Sequence, residues 1–317
     1  MAEWLVEEGI GEHRAVLIEA GEIVAARIDW LGELVAGQIE DAVLIKRTSG
    51  STRGTARFGN GELALVDGLA RDASEGATLC LEIKRAANIE RSRSKFALAR
   101  PTDLPPCPAP TLAERLGAKV VRAFDGWDDL WMEAMTGNID FAGGRLTVEP
   151  TAAMTVIDID GDLKPFALAL AAVPALAKAI RRLDLSGSIA IDFPTLELRN
   201  ERKAIDAALD DALGGWLHER TAMNGFGLVQ LVAKLEGPSL VDRVMQRWSD
   251  ATARLLLRRA ERVNEPGSIL LIAHSRVRAA FHGGWEDELA RRTGRAIVWQ
   301  TDDTIAPFAA FAQAVAT

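Results

Sequence analysis

The chain has 317 residues, enough for two or three domains with a sizeable core. It is 48% hydrophobic, yet it holds no apolar run long enough to span a bilayer and no basic–apolar–small signal segment, so a cytoplasmic location without membrane contact is expected. A net charge of −8 and a pI of about 5.2 argue against broad nucleic-acid affinity and leave room only for a local basic channel. The two cysteines, Cys80 and Cys107, lie far apart and outside any CxxC, which excludes a disulfide framework.

Residues 1–34 read as a β-hairpin segment. Ala15–Glu19 and Ile23–Ile28 are apolar runs with Gly21-Glu22 as the turn between them. Residues 35–100 read as a small barrel and a basic strand. Short strand-like runs at Gly37–Ile39, Ala42–Ile45, Gly54–Phe58, Glu62–Val66 and Thr78–Ile83, punctuated by glycines, suggest a five-stranded OB-type barrel. Lys46, Arg47, Arg53 and Arg57 would give it a basic face, and Phe58 is either a stacking platform or a core residue. Lys84, Arg85, Arg91, Arg93 and Lys95 make the most basic stretch of the chain, a candidate phosphate track or a simple solvated face. Residues 101–136 begin with the proline-rich run Pro101–Pro110, read as a stiff linker, and continue into short helices broken at Asp125-Gly126.

Residues 137–243 carry the chemistry. Thr155–Asp162 is β-branched and holds Asp158 and Asp160; Ser188–Phe193 is a second β-branched run holding Asp192. Between them Pro165–Leu183 is rich in Ala and Leu, with Pro at its start and Arg181-Arg182 at its end, and reads as a helix that Pro174 should kink or split. Strand–helix–strand with short connections predicts a right-handed parallel crossover. Both aspartates would then lie near carboxyl ends of parallel strands, where open α/β sheets place ligands. Side-chain alternation puts Asp158 and Asp160 on one face and Ile157 and Ile159 on the other. Two converging carboxylates repel unless one is protonated or a cation lies between them, and oxygen donors suit Mg²⁺ or Mn²⁺. Ordinary strand-end aspartates are the plainer alternative. After Asp192, Glu201–Arg220 reads as one amphipathic helix, with His218 a surface or capping residue. Residues 244–317 read as a small α/β unit: a helix at Ser249–Val263, a strand at Ser268–Ala273, helices near Arg276–Phe281 and Trp285–Thr293, and a strand at Ala296–Trp299. His274 and His282 do not suffice for a zinc site.

TVIDID, a helix ending IRRLDLSG, and SIAIDF together resemble the catalytic segment of the ribonuclease E/G family. Ala142–Glu149 upstream and Gly225–Leu231 downstream are similar to that family's flanking strands, in the same order. The resemblance implies an α/β fold of the α+β multidomain kind. It comprises a mixed-sheet nuclease core, an inserted OB/S1-like β-barrel, and a small C-terminal α/β domain. The OB-type barrel read above and this S1-like barrel are one and the same module. The resemblance implies that Asp158 and Asp192 bind Mg²⁺ and that Asp160 stands where the family has a supporting Asn. The implied activity is endonucleolytic cleavage of single-stranded RNA by metal-activated water, leaving 5′-phosphate and 3′-hydroxyl ends. Three features depart from the family: Thr195 replaces a further Asp, the basic residues after the FGL strand are replaced by Ala233-Lys234-Leu235-Glu236, and the CPxC zinc link is absent. A homodimer would therefore be held without zinc. The interval that carries the 5′-monophosphate sensor in the family is far shorter here, so no 5′-end sensing is expected. Two other readings stay open. One is a catalytically weak or inactive RNA-binding or processing protein. The other is a haloacid-dehalogenase-type phosphatase that uses Asp158 as nucleophile and Asp160 as acid/base, since Asp158-Ile159-Asp160-Gly161 resembles its DxDGT loop.

Overall fold

The computed structural model describes residues 2–90, 93–235 and 237–316. Three strands open it: β1 (Glu3–Glu8), β2 (Glu12–Glu19) and β3 (Glu22–Trp30), with Ala20 and Gly21 at positive φ making the β2–β3 turn. A closed barrel follows, built from β4 (Ile39–Arg47), β5 (Arg53–Arg57), β6 (Leu63–Asp67), β7 (Thr78–Arg85) and, after a hairpin of β8 (Asn88–Glu90) and β9 (Arg93–Lys95), β10 (Ala97–Pro101). The staves run in the order β10-β6-β5-β4-β7, with β6 and β10 parallel. Five strands were expected, but not these five. Ile39, the last residue of the first expected run, and Ala42–Ile45 belong to a single strand, β4, which continues through Glu40 and Asp41. The fifth stave comes instead from Ala97–Pro101. The proline-rich run is also less free than a linker: Ile39 and Cys107 exchange backbone hydrogen bonds of 3.0 and 2.9 Å, which dock it on the barrel.

Next come α1 (Leu112–Leu116), β11 (Lys119–Val121) and α2 (Trp127–Thr136). Strand β11 pairs parallel with β1 and so completes the N-terminal sheet.

The central sheet has six strands in the order β12-β13-β14-β15-β17-β16: β12 (Asn138–Phe141), β13 (Gly144–Pro150), β14 (Thr155–Gly161), β15 (Gly187–Asp192), β16 (His218–Arg220) and β17 (Leu228–Ala233). Only β14 and β15 are parallel, so the sheet is mixed. Between them runs α3 (Pro165–Arg182). Pro174 does not split this helix. It lies on the exposed side, four residues after exposed Leu170, while Leu168, Ala172, Val173, Leu176 and Ile180 hold the other side in the core. Ile157, Ile159, Ile189, Ile191, Val229 and Leu231 pack towards the same core.

The helix expected to reach Arg220 stops early. It runs as α4 (Arg199–Ala212), and Gly214-Gly215, with Gly215 at positive φ, turns the chain into β16. His218 opens that strand and its ring stacks on Trp216 at 4.8 Å.

A π-helical turn at Asp242–Gln246 leads to α5 (Trp248–Glu261), β18 (Ser268–Ala273), α6 (Ser275–Ala279), α7 (Trp285–Thr293), β19 (Ile297–Thr301) and β20 (Phe311–Val315). The three strands form one sheet in the order β19-β18-β20. Helix α5 serves two cores: Ala251 and Leu255 face the central one, and Ala253, Leu256, Leu257 and Ala260 the C-terminal one. No helix among the described residues is long and apolar enough to cross a membrane.

Candidate active site

The parallel register pairs Thr155 with Ile189, Ile157 with Ile191 and Asp158 with Asp192. Side chains of such partners lie on the same face, and adjacent strands are about 4.8 Å apart. The two aspartates are thus immediate neighbours across the strand gap. Burial follows the pleat: Ile157, Ile159 and Ile191 are buried against α3, while Asp158, Asp160 and Asp192 are exposed. The apolar alternation that drives the isoleucines into the core is what pushes the acids onto the open face. The glycines at the strand ends allow close approach here, since a Cβ on Gly161 would come within 2.3 Å of the Gly143 carbonyl oxygen.

Strand β15 ends its pairing at Asp192. One residue beyond, the Ile159 N–H donates to Asp158 Oδ1 at 3.0 Å. This bond restrains the Asp158 carboxylate. Phe193, the next residue after Asp192, is buried and its N–H donates to the Gly227 carbonyl at 3.2 Å, which fixes the chain where it leaves the strand. Gly227 sits at φ +92, and a Cβ there would fall 2.2 Å from the Phe193 carbonyl oxygen.

The electrostatics are strained. Although its surface is open, the sheet around Asp158 strips it of part of its hydration, and this is the main reason its carboxyl is held above the usual range. The charges of Asp160, Asp192 and Glu149 push the same way, and the Ile159 N–H opposes them. Among the described residues no cationic side chain pairs with Asp158, Asp160 or Asp192. Arg145, in register with Asp160, is instead committed to Asp140 at 2.6 Å. Folding therefore biases Asp158 towards its neutral form. Stability is lost as pH rises from the ordinary aspartate value, about 3.9, through the raised one. In EDTA, Asp158→Asn should melt slightly higher than the parent at neutral pH, and the difference should vanish below about pH 4. Thermal melts at the two pH values check this.

No three acidic, histidine or cysteine side chains among the described residues converge on one point. The chain offers two neighbouring carboxylates with a third one step along β14. That donor set fits a hard divalent cation that keeps water or phosphate oxygens in its remaining positions, as Mg²⁺ does. Transition metals that demand nitrogen or sulfur ligands do not fit. The same face carries residues that sequence reasoning passed over: Thr147 is in register with Asp158, Leu228 with Asp192, and Gln230 with Ala190. The period-two alternation of β13 and β17 was the available signal.

The expected RNA-binding residues are scattered by comparison. Phe58 is only 3% exposed inside the barrel core and cannot stack a base, a correction to its expected role. Arg47 is spent within the barrel, donating to the carbonyls of Arg71 at 2.8 Å and Ala73 at 2.5 Å. Lys46 and Arg57 are exposed on the outer face, beside Thr55 and Val43 respectively. Lys84 pairs with Glu82 at 2.5 Å, and Arg85 donates to the Phe96 carbonyl at 2.9 Å. Lys95 borders a cavity of about 370 Å³ between the barrel and the π-helical turn. Arg91 lies outside the described residues, as does the side chain of Arg93. The cation track is thus partly absorbed into internal contacts, whereas the acid pair is not.

Residues 131–234 match the model of the Ribonuclease E/G family. The match runs from within α2 to the residue after β17, and so contains the whole central sheet and all three aspartates. Residues 131–234, about a third of the chain, are thus similar to the ribonuclease E/G family.

Proposed function

We propose that the chain is a divalent-cation-dependent endoribonuclease for single-stranded RNA. The observation that carries this reading is the register pairing of Asp158 with Asp192 on an exposed sheet face, with no cationic partner among the described residues. Asp158 and Asp192 would hold Mg²⁺, or Mn²⁺, with Asp160 adding charge beside them. A bound ion would polarise the scissile phosphodiester and lower the pKa of an attacking water. The chain's own contribution is positional: the Ile159 N–H restrains the Asp158 carboxylate, the buried Phe193 anchors Asp192, and the open face admits a strand without the need for a deep pocket. The family match supports this reading over a haloacid-dehalogenase-type phosphatase. The closed barrel, with its parallel β6–β10 contact, supports an OB- or S1-type module whose exposed Lys46 and Arg57 attract phosphates.

The short interval between β10 and the central sheet supports cleavage without 5′-end sensing. A short unstructured oligonucleotide should be cut equally fast with a 5′-monophosphate or a 5′-hydroxyl, only with Mg²⁺ or Mn²⁺ present, and should yield 5′-phosphate and 3′-hydroxyl ends. A strong preference for the monophosphate overturns the sensing claim. Hydrolysis of p-nitrophenyl phosphate without RNA cleavage overturns the nuclease reading.

A further inference from the structure

We infer that Phe226 is the base-stacking residue of the RNA strand held at Asp158 and Asp192. The inference rests on the ribonuclease reading above and adds to it the side chain that grips a nucleobase beside the scissile phosphate. Phe226 is 83% exposed, the most exposed aromatic side chain among the described residues. It is also close to the acid pair through the backbone. It lies two residues before Leu228, the register partner of Asp192. Its carbonyl accepts from Thr195 Oγ1 at 3.5 Å, and the next carbonyl accepts from the Phe193 N–H. The segment leaving Asp192 and the turn carrying Phe226 are therefore tied together by two consecutive carbonyls.

The turn is rigid. Asn224 Oδ1 accepts from the Phe226 N–H at 2.9 Å and from the Leu228 N–H at 3.1 Å, and Gly227 supplies the left-handed residue that no side chain could replace without striking Phe193. A ring displayed on a fixed turn loses little freedom when a partner covers it, which is what a recognition residue needs. Its neighbour Leu228 is itself 41% exposed and extends the apolar strip towards Asp192. The ring thus sits at the border of an apolar strip and an anionic, cation-seeking site. A nucleotide presents the same juxtaposition, a flat π-face linked to a phosphate. Stacking is tolerant of base identity, in keeping with a single-strand nuclease. The barrel, whose expected platform Phe58 is buried, does not supply this function.

The test is RNA binding with Mg²⁺ present, read by fluorescence anisotropy with a short unstructured RNA that is 2′-O-methylated to resist cleavage. Phe226→Ala and Phe226→Leu should each raise Kd about 5- to 100-fold, the range of base–aromatic stacking. Phe226→Trp should bind at least as tightly as the parent. An abasic nucleotide at the stacked position should weaken the parent and leave Phe226→Ala unchanged, closing a double-mutant cycle. Melting curves confirm that the variants fold. If Phe226→Ala binds the intact RNA like the parent, the inference is overturned while cleavage by the parent still upholds the ribonuclease reading. If Phe226→Ala leaves RNA binding intact but turns a dimer into a monomer in sedimentation, the ring belongs to a subunit interface instead. A parent chain that neither binds nor cuts single-stranded RNA overturns both.

Discussion

Asp158→Asn and Asp192→Asn should each slow RNA cleavage by about a thousandfold or more at saturating Mg²⁺, with circular dichroism unchanged. Each substitution keeps the shape of the side chain and removes one of two anionic donors. Electrostatic help from a bound divalent ion is worth several kcal/mol in such reactions. At about 1.36 kcal/mol per tenfold in rate, losing its anchor reaches that scale. Asp160→Asn is the internal control. It keeps the side-chain shape, and it removes a charge that stands beside Asp158 rather than across from Asp192. Its effect should stay within about tenfold, because a change one step along the strand leaves both paired donors in place. Loss of cleavage with Asp160→Asn but not with Asp192→Asn would show that the working pair lies along β14 instead of across the strand gap.

The second large effect concerns stability. Glu7→Gln should destabilise the fold by about 3–5 kcal/mol, because it leaves buried guanidinium groups short of an anion. Glu7 is buried in β1 between Arg14 of β2 and Arg258 of α5. Arg258 donates to its two oxygens at 3.0 and 3.2 Å and reaches Asp128 at 3.1 Å, while Arg14 also meets Glu12 at 2.8 Å. Arg14 already has one terminal nitrogen without an acceptor. Burial pulls Arg258 below the usual arginine range in spite of Glu7. Nearby Arg254, buried against Trp30, is pushed down to about 10 by the same cause. The network joins the N-terminal sheet to the helix that serves both remaining cores, so the loss should appear as a lower urea midpoint. A midpoint shift worth under 1 kcal/mol would mean that water or rearrangement compensates the missing charge.

Much of the catalytic unit was legible in the sequence for one reason. In β14, α3 and β15 local propensity, hydrophobic period and packing agree: β-branched runs with alternating polarity, an Ala/Leu helix opened by Pro165, and short connections. The crossover and the shared face of Asp158 and Asp160 follow from those patterns, whereas the adjacency of the two strands is only a condition there and comes from the structure. The misreadings occurred where tertiary context decides. Trp216 and Leu217 continue the helical period of α4, yet two adjacent glycines end the helix before them. Strands β11 and β20 are stabilised by partners distant in sequence, with β11 lying on β1 and β20 on β18. Phe58, left open between a stacking platform and a core residue, follows β5 and packs in the barrel core in phase with Ala56. Phe226 carried no periodic signal, because it stands on a turn whose shape Asn224 and Gly227 determine.

The most direct test of the paired-aspartate account is a Mn²⁺ titration without RNA, followed by electron paramagnetic resonance. The account predicts one bound ion per chain in the parent protein and its loss in both Asp158→Asn and Asp192→Asn. Equal Mn²⁺ binding by the parent and both variants would contradict it.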